Sequence, residues 1–308
     1  MARPLSEALR ASPLFFEPVP PPARTSAQRV EERTAAVVRV VASVPRLDAL
    51  DIPELVDENH EGQPHYRSAD PRAYARELAE RTSREVILNK VVAHLPDVPA
   101  LEAWAHETVK AGIRHVVLVG GSSRYIPYPG PPVAEADRHC RPIFGAVEGS
   151  VGNIAIPQRN GEAHRMLAKT RAGASFFTTQ LLFDAEAVRK VLRQYDLLCR
   201  QASIPPAALL LSVAPIADDE DAEFVRWLGA DLPDSAERAI LGGEESDATR
   251  RSVEIALSVW EDVARTVRAE RLTVPVGVNV EQISVRHLEV AGTLLAEFAR
   301  RIDGPAPA

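Results

Sequence analysis

Two short runs, His115-Val-Val-Leu-Val-Gly120 and Leu209-Leu-Leu-Ser-Val-Ala-Pro215, are apolar almost without interruption, and they constrain the fold more than any other feature. A strand that is hydrophobic on both faces must be covered on both, as in a parallel sheet flanked by helices. Other strand-length runs are Pro13 to Pro22, Leu47 to Pro53, Val86 to His94, Ile143 to Val147, Val151 to Ile156, Ser175 to Leu182 and Leu272 to Val280. Helical patterns separate them. Ala27 to Ala42 follows a capping Thr25 or Ser26, Ala73 to Arg81 follows Pro71, and Ala100 to Ala111 stops at Gly112. Gly161 to Ala172, Ala185 to Cys199 after a capping Asp184, Asp247 to Ala269 and Glu281 to Arg301 complete the set. Asp57 to Asp70 and Ile126 to Pro132 read as loops, and Val133 to Arg138 is ambiguous.

Roughly eight strands alternating with helices in 308 residues fit a single (β/α)8 barrel of the TIM type, with a doubly wound open sheet as the alternative. We expect one domain over residues 1–308, with short flexible N- and C-terminal tails. The net charge of -7 gives no general attraction to nucleic acid or anionic lipid, so the expected partner is a small molecule. The two cysteines, Cys140 and Cys199, form no CxxC and no Cys/His cluster, which suits a reducing cytoplasm. The longest apolar runs fall well short of the ~20 residues of a membrane helix, and the N-terminus has no signal-peptide pattern. The expectation is a cytoplasmic protein, with the oligomeric state open and a homo-oligomer included.

A barrel places functional groups at the C-terminal ends of its strands. The polar residues there are Glu17, Glu54, His94, Gly120-Gly121-Ser122, Gln180 and Asn279. With a period of two, Phe176, Thr178, Gln180 and Leu182 share one face, so Gln180 is the polar tip of an otherwise apolar strand. Glu17 shares a face with Phe15 and Val19 among phenylalanines and prolines; the local pattern fits a desolvated acid and a surface glutamate equally. Gly120-Gly121-Ser122 permits close backbone approach and offers N–H donors, but it is not a dinucleotide fingerprint. Asp218 to Asp221 reads as an exposed helix start.

Several pieces in order resemble the methylenetetrahydrofolate reductase family. They are Phe16-Glu17-Pro18, His94-Leu95, Gly112-Ile113-Arg114-His115, Lys169, Ala172-Gly173-Ala174, Thr179-Gln180 and Phe183-Asp184, spread over most of residues 14 to 200. The resemblance implies a (β/α)8 barrel that reduces 5,10-methylenetetrahydrofolate to 5-methyltetrahydrofolate, a step that feeds methionine biosynthesis. Two departures stand out. Flavin-dependent members carry Arg-Gly-Asp where this chain has Gly120-Gly121-Ser122, and a Tyr-Pro-Glu-x-His segment where it has Ile156-Pro157-Gln158-Arg159-Asn160. Losing these flavin contacts makes the chain look like the flavin-independent branch, in which NADH passes hydride directly to the folate and FAD is absent.

On that resemblance, Glu17 is the general acid for ring opening, which requires a pKa raised toward neutrality by a dry site. Gln180 offers donor and acceptor to the pterin edge and belongs to the catalytic pair with Glu17. Glu54 grips the pterin's N–H groups as a bidentate acceptor, with Phe183 and Asn279 lining the same pocket. His94, Gly120, Gly121, Ser122, Arg159 and Lys169 fall to NADH. Read without the resemblance, Gln180 and His94 are rim residues, Glu54 is a solvated loop glutamate and the basic pair is solvated. Two alternatives stay open: an FAD-dependent reductase with altered flavin contacts, and a non-catalytic folate-binding paralogue.

Overall fold

The computed structural model describes residues 3–123, 125–244 and 247–303. Its strands are β1 (Leu14–Glu17), β2 (Ala49–Ile52), β3 (Val56–Glu58), β4 (Pro64–Tyr66), β5 (Glu85–Val91), β6 (His115–Val119), β7 (Ser150–Ala155), β8 (Phe176–Thr179), β9 (Ala208–Val213) and β10 (Val276–Glu281). Eight of them close in the order β1-β10-β9-β8-β7-β6-β5-β2, every pair parallel, while β3 and β4 form a separate antiparallel hairpin. Because β1 bonds to both β10 and β2, the sheet has no edge and the open-sheet alternative is excluded. The fold is a single (β/α)8 barrel.

The helices are α1 (Leu5–Ala8), α2 (Ala27–Ser43), α3 (Pro71–Thr82), α4 (Val98–Lys110), α5 (Val133–Gly145), α6 (Glu162–Ala172), α7 (Glu186–Gln201), α8 (Asp219–Trp227), α9 (Asp234–Leu241), α10 (Ala248–Glu270) and α11 (Leu288–Asp303). Ser26 caps α2 by accepting the Arg29 N–H, and Asp70 and Asp97 cap α3 and α4 in the same way. Alternate strand residues divide between two cores. Leu14, Phe16, Leu50, Leu88, Val116, Phe177, Leu209 and Val278 face outward onto the helices. Phe15, Ala49, Ile87, Val117, Phe176, Ala208 and Leu210 fill the lumen, and Leu5 and Leu9 of the α1 segment close it at the N-terminal end. Phe15 and Phe176 meet edge to face at 5.9 Å. Gly152 makes room for this pair, since a Cβ there would come within 2.4 Å of the Phe176 ring.

Several element expectations are corrected. Ile143 to Val147 is not a strand: α5 runs to Gly145, with Ala136, Cys140 and Phe144 buried four residues apart on one face, and Pro142 lies inside the helix. The stretch 57–70 is not all loop, since most of the β3–β4 hairpin falls in it. Strand β5 ends at Val91, where residues 92–94 turn into a short 3-10 helix. Strand β8 covers only Phe176–Thr179, and Leu182 packs in the outer core rather than on the Phe176 face. Glu281 ends β10 instead of opening the last helix. No described helix is long and apolar enough to cross a membrane.

Phe176→Ala should cost about 3–5 kcal/mol of stability, because the lumen cannot collapse around the missing ring. Urea unfolding, compared at an unchanged slope, checks this.

Candidate active site

The C-terminal end of the barrel gathers acids. Glu17 ends β1, and its register partner on β10 is Glu281. On the other side Phe15 pairs with Ala49 and Phe16 with Leu50, so the next residue of β2 beside Glu17 is Asp51. Since alternate residues share a face, Glu281, Glu17 and Asp51 all point into the lumen from three adjacent strands, whose axes lie about 4.8 Å apart. The Asn279 amide donates to Glu17 Oε2 at 2.9 Å and to Ser212 Oγ at 3.2 Å. Gln282 ties the same corner together: its N–H donates to the Glu17 carbonyl, and its Oε1 accepts the Val19 N–H.

Burial governs how these acids titrate. Desolvation raises Glu17 to about 7, against the Asn279 hydrogen bond that lowers it. Asp51 is raised well above the usual range by burial and by the charges of Glu17 and Glu281. Glu281 is raised well above its usual range by burial and by Glu17, with Ser212 opposing. Glu17 nonetheless keeps part of its surface open to the mouth, whereas Asp51 is fully buried with neither carboxyl oxygen hydrogen-bonded. An acid that is dry, open to a ligand and half-protonated near neutrality is suited to giving up a proton.

Other expected site residues are placed differently. Gln180 lies just beyond β8, and its amide donates to the Leu228 carbonyl at 2.8 Å, tying it to the α8 loop. Glu54 is not a free acceptor: Oε1 takes Lys90 Nζ at 2.6 Å and Oε2 takes the Val91 N–H at 2.8 Å. Phe183 is buried in a satellite core with Leu181, Ile216 and Val225, beneath α8 and α9.

His94 and Ser122 do come together, but on a protein partner. His94 Nε2 lies 2.8 Å from Glu58 Oε1, and the hydroxyls of Ser122 and Tyr128 both donate to Oε2. Burial would raise Glu58, yet these bonds prevail and hold it below its usual value. Gly121 lies against the Tyr128 ring, where a Cβ would stand 2.2 Å away, and Gly120 faces Val133. Glu58 thus fastens the hairpin to the loops after β5 and β6. The hairpin's other flank reaches α8, where the Arg67 guanidinium sits 5.0 Å above the Trp227 ring.

Lys169 lies behind the barrel wall, its ammonium donating to the Ile154 carbonyl at 2.8 Å, and burial lowers its pKa. Nearby, Asn153 donates to Asp137 at 2.9 Å, and burial pushes Asp137 up to about 7. Arg159 is exposed on the β7–α6 loop, beside a cleft of about 330 Å³. Asp218, Asp221 and His287 hold ligand atoms within 4.8 Å of one another, but the Arg286 guanidinium sits among them, 3.4 Å from Asp218 and 2.9 Å from Glu220. Asp218 there caps α8 by accepting the Asp221 N–H.

Asp51, Glu281 and Ser212 are absent from the expected set. For Asp51 and Ser212 the signal is a polar residue two positions beyond an inward apolar one, as in Ala49-Leu50-Asp51 and Leu210-Leu211-Ser212; Glu281 instead follows the polar Asn279 on the same face. The signal is weak because Asp51 lies in a weakly patterned strand and Glu281 adjoins the amphipathic run of the last helix.

No family model and no curated protein matches the chain. Among solved structures it is similar to an uncharacterized protein from Clostridium thermocellum that binds two copies of 5-methyl-5,6,7,8-tetrahydrofolic acid. The TM-score is 0.77 at 15% identity, over 96% of this chain and 97% of that one. It also overlaps 2,3-dimethylmalate lyase, of the PEP mutase/isocitrate lyase superfamily, with a TM-score of 0.47 at 12% identity over 87% and 88% of the two chains. At 15% identity the first of these similarities shows the barrel fold.

The raised acids carry a pH signature. A carboxyl whose folded pKa lies above its unfolded value stabilises the fold fully below the unfolded pKa and loses that contribution as pH rises through the folded one. Glu17→Gln should therefore leave Tm unchanged relative to wild type near pH 4 and raise it relative to wild type at pH 7–8. Thermal melts across that range check it.

Proposed function

We propose that the protein binds a reduced folate in the barrel mouth and reduces 5,10-methylenetetrahydrofolate to 5-methyltetrahydrofolate with NADH, without flavin. The observation that carries this reading is Glu17: a desolvated acid raised to about 7, held by Asn279, at the open end of the barrel. Support for the folate comes from the Clostridium thermocellum barrel, whose named ligand is the product of this reaction.

Reduction begins with opening of the five-membered ring. The Glu17 proton moves to the departing nitrogen as that nitrogen takes the C–N bonding pair, leaving an iminium at the other nitrogen and a carboxylate on Glu17. The new anion faces the new cation across a site where their attraction is little screened. Asn279 keeps the Glu17 carboxyl oriented through both states, since its amide can donate to either form. NADH, when bound, supplies the hydride that completes reduction at the methylene carbon. Of the residues assigned to it, Arg159 offers an exposed cation on the β7–α6 loop, while His94 Nε2 and the Ser122 O–H are already engaged by Glu58. With the Gln180 amide donating to the Leu228 carbonyl, its side-chain oxygen is the acceptor it has left to offer the pterin.

The Glu58 clasp also favours a second reading, a folate-binding barrel without catalysis, because it occupies polar groups that the dinucleotide would need. NADH oxidation by the colourless protein with methylenetetrahydrofolate separates the readings. Activity without added flavin is expected; activity only after FAD addition indicates a flavoenzyme, and tight folate binding without NADH consumption indicates a binder. Glu17→Gln should lower turnover by at least ~10²-fold, the scale of a lost general acid. A near-wild-type rate in that variant removes Glu17 from the chemistry.

A further inference from the structure

The row of acids at the mouth does more than supply one proton donor. Glu281, Glu17 and Asp51 occupy neighbouring register positions on β10, β1 and β2 and share the lumen face. Among the described residues, the groups around them bring no compensating positive charge. From β9, Ser212 bonds Glu281. From β5, the register neighbour of Asp51 is Ile87, and Lys90 is taken by Glu54. Arg286 and His287, which follow β10, face Asp218, Glu220 and Asp221 instead. Three carboxylates so close, one fully buried and two only partly open, with no cation beside them among the described residues, cannot all be charged.

We propose that the three acids titrate as one proton-holding array in which Asp51 and Glu281 remain neutral at physiological pH, leaving Glu17 as the member that changes charge. Asp51 is then a positioning residue of the reaction: kept uncharged, it allows Glu17 to ionise when its proton leaves. Its geometry supports this role. Asp51 is fully buried and neither of its oxygens has a hydrogen-bond partner, an arrangement severe for a carboxylate and much milder for a neutral acid. Glu17, by contrast, has a fixed donor in Asn279 that stabilises its charged form.

The array also selects its ligand. It passes from neutral to a single negative charge as one proton leaves, so it suits a group containing a nitrogen that accepts a proton and becomes, or adjoins, a cation. A ligand carboxylate or phosphate placed there would meet the developing anion. As applied to folate reduction this inference rests on the function proposed above, but the protonation states belong to the free protein and are measured without substrate.

The test is a pH titration of the free wild-type protein, Asp51→Asn and Glu281→Gln, followed by infrared absorption of protonated carboxyls and by carbon NMR of labelled carboxyl groups. At pH 7 the wild type should show buried protonated carboxyl signals, one lost in each variant. The Glu17 midpoint should stay at its wild-type position in Asp51→Asn, because a neutral group replaces a neutral group. A fall of that midpoint by about one unit or more would mean that Asp51 had been charged, and would overturn the proposal. So would the absence, at pH 7, of any protonated signal that the substitutions remove. Should Asp51→Asn fail to fold, Glu281→Gln and the wild-type titration still decide the matter. A protein with these protonation states but no reductase activity refutes the function alone.

Discussion

Closure of the sheet through β1 is the constraint on which the rest of the molecule depends. This four-residue strand bonds to β10 on one side and β2 on the other, and without it the barrel would be an open sheet with two edges. Its start is fastened by Asp48, which accepts the Leu14 N–H at 2.9 Å while paired with Arg3 and Arg46. Its end is fastened by Gln282. With both ends fixed, Phe15 has one orientation, into the lumen against Phe176, and Glu17, two residues on, points the same way at the mouth.

That fixed direction gives Glu17 its chemistry. The lumen below it is filled with phenylalanine and aliphatic side chains, so water reaches the acid only from above. Desolvation then opposes ionisation, and the acids on either side oppose it further in each other. Such a row costs stability at neutral pH. The row stands at the barrel's C-terminal end, where ligand sites of this fold occur.

The mouth is roofed from two sides. The β3–β4 hairpin is fastened by Glu58 to the loops after β5 and β6 and meets Trp227 of α8 through Arg67, while Gln180 binds the loop at the end of α8. These ties draw on residues that look, in isolation, like ligand contacts. A histidine or serine at a strand end supplies polar atoms, and a nearby carboxylate from another loop satisfies them as well as a cofactor does.

The fold was legible because its signal is local. Runs such as Val116-Val-Leu-Val119 report burial on both faces, and their alternation with amphipathic segments leaves few architectures to choose from. Glu17 and Asn279 were legible as strand-end polar residues on lumen-facing positions, and the structure joins them in one hydrogen bond. Element ends were less so: the Ile143–Val147 run resembles a strand until Cys140 and Phe144 are seen to share a helix face. Partner choice was not legible at all. That Glu54 binds Lys90, that Lys169 turns behind the wall to the Ile154 carbonyl, and that Asp51 stands beside Glu17 depend on residues distant in sequence. The sequence by itself determined which residues are buried and with what period, since hydrophobic burial is read one segment at a time. Only the tertiary structure decided which polar groups satisfy one another and which acids are left dry together, because charge interactions and desolvation depend on distances across the barrel.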